Sequence, residues 1–176
     1  MGRRRAGSPC ITTGRADFSD FLQAEVMLVY QPDDAIRPMR AEYAGAIREA
    51  RHVSLSDGAP LLLIGQASLD GLNERLADPV PMNRFRPNVV VTGAAPFAED
   101  TWQRIRIGDV TCEVAKPCAR CATTTVDQAT GVRGVEPLRT LATFRKREGG
   151  VMFGQNLAHH APGALHVGDV VTVLAP

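Results

Sequence analysis

Hydrophobic residues recur at helical spacing near the start of this chain and fall into short strand-like runs from Asn88 onward. Between Asp17 and Glu25, Phe18, Phe21 and Leu22 follow acidic and hydroxyl residues that suit a helix start. Val26-Met27-Leu28-Val29-Tyr30 predicts a strand, and the charged, proline-containing run from Gln31 to Arg40 predicts a loop. Ala41 to Ala50 is compatible with a surface helix, but its pattern does not decide the matter. Leu61-Leu62-Leu63-Ile64 predicts a buried strand. Ser68 then offers its hydroxyl as a helix cap, Asp70 complements the helix dipole, and Leu69, Leu72 and Leu76 form an inward stripe that ends before Pro79. Beyond it, Asn88 to Thr92, Arg104 to Ile107, Val110 to Val114 and Leu165 to Leu174 predict short strands. Gly108-Asp109 supplies a hairpin signal that Gly168-Asp169 repeats. Glu136 to Lys146, with Leu138, Leu141 and Phe144 on one side, predicts a helix laid over them. Such lengths and punctuation favour a mostly antiparallel, barrel-like sheet, an α+β class that is mainly β.

Length and charge narrow the possibilities. A chain of 176 residues suits one domain with a sizeable core, and a net charge of +1 argues against a nucleic-acid binder that relies on broad electrostatic attraction. Residues 1–15, with Arg3-Arg4-Arg5 and no periodicity, are expected to form a disordered arm before a domain at 16–176. No apolar run is long enough to cross a bilayer, and no signal core follows the arginines, so the expectation is a soluble cytoplasmic protein without a membrane partner. Four cysteines in such a chain read as reduced thiols.

The chemistry concentrates in Lys116-Pro117-Cys118-Ala119-Arg120-Cys121. Two soft ligands stand among cations that lower a thiol pKa, and the thiolate is the form that binds metal or attacks. Pro117 stiffens the approach. A single C-x-x-C, with Cys10 and Cys112 forming no second pair, argues against zinc. A thioredoxin-type site needs a helix opening on the pair, whereas Ala122 to Val126 favours extended structure, so a dithiol oxidoreductase has little support. Cys112 alternates like a strand residue and reads as a small buried hydrophobe.

Several segments, in order, carry a resemblance: Arg84-Phe85-Arg86-Pro87-Asn88, Ala98-Glu99-Asp100-Thr101-Trp102, Lys116 to Asp127, Glu136 to Leu141, Phe153-Gly154-Gln155-Asn156 and Val167-Gly168-Asp169. From about Phe18 onward the chain resembles the MOSC domain, in the branch that contains the amidoxime-reducing component and its bacterial relatives. The resemblance implies a closed β-barrel with peripheral helices. It implies that Cys121 ligates molybdenum in a pyranopterin cofactor, that Arg86 contacts the cofactor and that Asp57 accepts from it. Arg84, Lys116, Arg120 and Asn88 complete the expected cofactor-binding set. For Cys118, packing beneath the turn and a redox role stand about even.

The chain departs from the family pattern at Gly58, Ala59 and Ala119, where hydroxyl residues are usual. It is expected to lack the family's preceding β domain and an appended ferredoxin-like module. The implied function is reduction of small N-hydroxylated substrates, with electrons from a separate donor protein of reductase or ferredoxin type. The alternatives are a sulfur carrier using a Cys121 persulfide and a barrel that has lost its cofactor.

Overall fold

A computed structural model describes residues 15–32, 34–35, 37–43, 53, 56 and 58–176. The sequence readings on Met1 to Gly14, Asp57 and most of Ala41 to Ala50 lie outside the described residues. Among these residues seven strands form one sheet: β1 (Leu61–Gly65), β2 (Val89–Val91), β3 (Arg104–Ile107), β4 (Val110–Ala119), β5 (Lys146–Arg147), β6 (Gly150–His159) and β7 (Val171–Ala175). Their order is β2-β1-β6-β4-β3-β7, with β5 paired to β6. Among the described residues only β1 and β2 run parallel, and every other pairing of these strands is antiparallel. The class is α+β and mainly β, as expected, in a curled half-barrel whose edge strands β2 and β7 do not pair with each other among the described residues.

Strand alternation divides the interior into two cores. Successive side chains point to opposite faces, so Leu63 enters one cluster with Ile105, Ile107, Cys112 and Leu157, while Ile64 enters another. The second cluster holds Leu69 and Leu72 of α2 (Gln66–Asn73), Leu141 of α3 (Leu138–Phe144), and Phe85 and Phe153. The two phenylalanine rings pack at 4.5 Å and are completely buried. Each such side chain contributes about 1.5–3 kcal/mol by leaving water. Phe85 thereby fastens the loop that carries Arg84 and Arg86 to the central strand.

Several expectations need correction. The helix expected from Asp17 to Glu25 is α1 (Arg15–Leu22). Val26 to Tyr30 forms no strand among the described residues, only a bridge at Val29, and Met27, Leu28, Val29 and Tyr30 are exposed. Strand propensity without a neighbouring strand to bond satisfies no ladder. Ser68 does not cap α2, which begins earlier with Gly65 at its cap. The buried Ser68 hydroxyl donates to Glu99 Oε2 at 2.8 Å and accepts from the Phe97 backbone N–H at 2.7 Å. Ala122–Thr125 is a 3₁₀ turn and not extended, because Thr124 and Thr125 hydroxyls donate to the Cys121 and Ala122 carbonyls at 3.0 and 2.7 Å. The run from Leu165 becomes a strand only at β7. Central strand β6 has no counterpart in the sequence reading.

Candidate functional site

Cys121 stands where β4 gives way to the 3₁₀ turn. β4 reaches it through two register shifts against β6, at Val114/Lys116 and Pro117/Ala119, and Pro117 sits between them opposite Gln155. A proline supplies no ladder donor, so a strand carries one best where pairing is already irregular. The Arg120 N–H then returns to the Val151 carbonyl at 2.8 Å, which fixes the turn to β6.

The Cys121 side chain is exposed and lies 3.3 Å from the Thr123 hydroxyl. Hydrogen bonds from the Thr123 side chain and backbone hold the thiol below its ordinary pKa, helped by the Arg120 charge and opposed by slight burial. This is a thiol biased toward thiolate and open to an incoming group. Thr123 was missed in the sequence reading. Its signal was a hydroxyl residue two positions after a candidate thiol, where a short turn brings side chain and N–H back onto the sulfur.

The expected cations separate by what they already hold. Arg86 is exposed and its guanidinium makes no hydrogen bond or ion pair among the described residues. Its backbone φ is +54°, an uncommon conformation for a residue with a Cβ. Arg84 is nearly buried and bonded to Asp127 Oδ2 at 3.1 Å. Asp127 is in turn held below the usual carboxylate range, first by the Thr130 backbone and side chain, with Ala129 and Arg84 contributing. Lys116 lies 3.9 Å from the centre of the Tyr43 ring and 3.8 Å from Glu42. Asn88 is occupied with Leu62: its N–H donates to the Leu62 carbonyl and its Oδ1 accepts from the Leu62 N–H, both at 2.9 Å. Arg120 points inward, onto Cys118 Sγ at 3.1 Å and the Phe85 carbonyl at 2.8 Å. Cys112 is buried in the first core cluster, where the strand alternation put it.

These positions bring Cys121 and Arg86 to neighbouring turns. Phe85, just before Arg86, is bonded to Arg120, just before Cys121. Among the described residues no three His, Cys, Asp or Glu side chains are placed to hold a metal together. From the described residues, a metal at Cys121 would take one thiolate, which suits a group that brings ligands of its own. An anionic cofactor that brings its own soft ligands suits an open thiolate on one turn and, on the neighbouring turn, a guanidinium with no partner among the described residues, so the residues fit it. At Gly58, where a hydroxyl residue is usual, a Cβ would lie 2.4 Å from the Tyr43 ring, so a side chain there would require that ring to move. A groove of about 880 Å³ shares Arg84, Thr125 and Asp127 with the back of this region but is lined by neither Cys121 nor Arg86.

The family model for the MOSC domain matches residues 50–172, most of the chain and all of this site. The chain belongs to the MOSC domain family. Human mitochondrial amidoxime-reducing component 1 is 36% identical over 166 residues, covering 89% of this chain and 49% of the human protein. The Danio rerio component 1 is 40% identical over 160 residues, covering 86% and 49%. Bos taurus component 2 is 33% identical over 175 residues, covering 94% and 52%. This MOSC chain thus spans about half the length of these relatives. No described helix is long and apolar enough to cross a membrane.

Proposed function

We propose that this MOSC domain holds a molybdenum cofactor through Cys121 and Arg86 and serves reduction of small N-hydroxylated compounds. The observation that carries the reading is the open Cys121 thiol, held toward thiolate by Thr123 and Arg120. The names of its relatives, amidoxime-reducing components, supply the substrate class. When bound, the cofactor supplies the two-electron, oxygen-accepting chemistry. The chain's own residues bind and orient. Cys121 gives the metal one thiolate, and Arg86 offers a planar fork to the cofactor's anionic oxygens. Arg84, Lys116 and Asn88 shape the surrounding turns through the partners they already hold. Electrons come from a separate donor protein of reductase or ferredoxin type.

With Gly58 and Ala119 lacking side-chain donors, the cofactor is held by fewer charge-assisted contacts. Two missing contacts of about 1.5–3 kcal/mol each weaken retention roughly 10² to 10⁴-fold. The test is molybdenum per chain after cofactor loading and rapid gel filtration, paired with amidoxime reduction in the presence of an electron donor. The expected result is partial occupancy in the wild type, background in Cys121→Ser and near-wild-type occupancy in Cys118→Ser. Equal loss in both variants with unchanged thermal unfolding would replace the single-ligand reading with a dithiol. Cyanide-labile sulfur on Cys121 without molybdenum would replace it with a sulfur carrier.

A further inference from the structure

Arg120 has the composition of a cofactor contact but the geometry of a strut. One guanidinium nitrogen, Nη1, donates to Cys118 Sγ at 3.1 Å, and Nη2 donates to the Phe85 carbonyl at 2.8 Å. The guanidinium carbon stands 5.5 Å from the centre of the Phe85 ring. Nε is buried without a hydrogen bond among the described residues, so the head keeps these two bonds while a third donor finds no partner there. The carbonyl it grips belongs to the Phe85–Arg86 peptide, whose other polar end, the Arg86 N–H, donates to the Asn83 carbonyl at 3.2 Å. That peptide is held at both ends where the chain enters the left-handed turn at Arg86, φ +54°. A strained backbone persists only when its surroundings over-determine it.

We propose that Arg120 is a positioning residue which, anchored on Cys118, fixes the Phe85–Arg86 peptide and so sets the Arg86 guanidinium relative to Cys121. The inference rests on the reading of Cys121 and Arg86 as the pair that holds the cofactor. One side of the strut is the turn that presents the thiol, tied to β6 through the Arg120 N–H and Val151 carbonyl. The other is the turn that presents Arg86, tied to β6 through Phe85 and Phe153. A guanidinium reaches two acceptors in one plane while stacking on a ring; an ammonium does not. Cys118 acts here as the acceptor that orients the arginine, a role that requires neither metal binding nor redox change.

Hydrogen exchange of the intact chain reads the strut without any cofactor. Cys118→Val removes the acceptor at similar volume, Arg120→Lys removes the fork, and Cys118→Ser keeps an acceptor. The expected result is about tenfold faster exchange at the Phe85 and Arg86 amides in the first two variants, the size of one lost hydrogen bond, and less than twofold in Cys118→Ser. Unchanged exchange at these amides in both Cys118→Val and Arg120→Lys would overturn the proposal. The second measurement is a double-mutant cycle on molybdenum retention with Arg86→Ala and Arg120→Lys. Coupling, with the Arg86→Ala loss shrinking in the Arg120→Lys background, supports positioning, and additive losses overturn it. A wild-type chain that retains no molybdenum yet shows the exchange response would sink the cofactor reading while supporting the strut.

Discussion

Arg145 and Arg86 lie at opposite extremes of this domain. Arg145 is buried, with Nη1 and Nη2 on the two oxygens of Asp100 at 2.7 and 2.9 Å, Nε on the Met152 carbonyl at 3.1 Å, and its plane over the Phe97 ring at 4.7 Å. Gln155, buried in β6, adds a bond to Asp100 Oδ1 at 2.8 Å. Arg86 is exposed, without a partner among the described residues, on a strained backbone. The first arginine is explained completely by what surrounds it. The second holds an uncommon backbone conformation and bonds nothing among the described residues, which is the pattern expected of a residue whose partner comes from outside.

Breaking the satisfied end should have the largest effect. Asp100→Ala leaves the Arg145 charge buried beside an apolar ring with no anion, and removing one partner of a buried pair costs about 3–5 kcal/mol. Urea unfolding should show that loss. Arg147, half-exposed at 3.3 Å from the same carboxylate, is a control: Arg147→Ala should change stability by less than about 1 kcal/mol. A loss below about 1 kcal/mol for Asp100→Ala would mean that Arg145 finds another partner or water, and the contrast with Arg86 would collapse.

At the unsatisfied end the sign reverses. Glycine adopts positive φ without a Cβ penalty, so Arg86→Gly should leave the fold as stable as the wild type or raise it by up to about 1 kcal/mol. The same variant should lose molybdenum retention. A fold that weakens by more than about 1 kcal/mol would show that the Arg86 side chain does structural work after all.

Legibility in the sequence followed the same division. β3 alternates cleanly and α2 carries its leucines at helical spacing, because in each the solvent and core faces differ; the first half of β4 alternates in residue type, although Glu113 is buried there against Arg104 and His160. β6 was invisible because its buried positions are not uniformly apolar. Gly154 sits at φ +79° where a Cβ would lie 2.7 Å from Ile64 Cγ1, and Gln155 is buried only because Asp100 reaches it. A period-two search cannot see a strand whose interior is set by partners 55 residues away. The site divides likewise. Cys121 and Arg86 are named as candidates by the motifs that carry the family resemblance, and the structure shows both exposed. Arg84, Arg120, Lys116 and Asn88 carry the same functional types, but their partners Asp127, Phe85, Tyr43 and Leu62 come from distant segments. Residue type therefore names the candidates, and only the folded chain shows which of them are already engaged by other described residues.

The smallest effect on stability, and the finest test of the contrast, lies at Cys121. Its folded-state pKa is depressed, chiefly by Thr123. A depressed acid contributes stability above the pKa of the unfolded thiol and loses it as pH falls through the folded value. Because the side chain is exposed, that share is screened nearly to nothing, and the shift is better read from reactivity. Alkylation of Cys121, followed by peptide mass spectrometry across pH, should have its midpoint below the ordinary thiol range. Thr123→Val removes the hydroxyl while the backbone N–H and the Arg120 charge remain, so the midpoint should move up toward the ordinary thiol value without reaching it, and unfolding should be unaltered. Identical profiles in the two proteins would show that the hydroxyl does not hold the thiolate. The free side of the comparison would then rest on Arg86 alone.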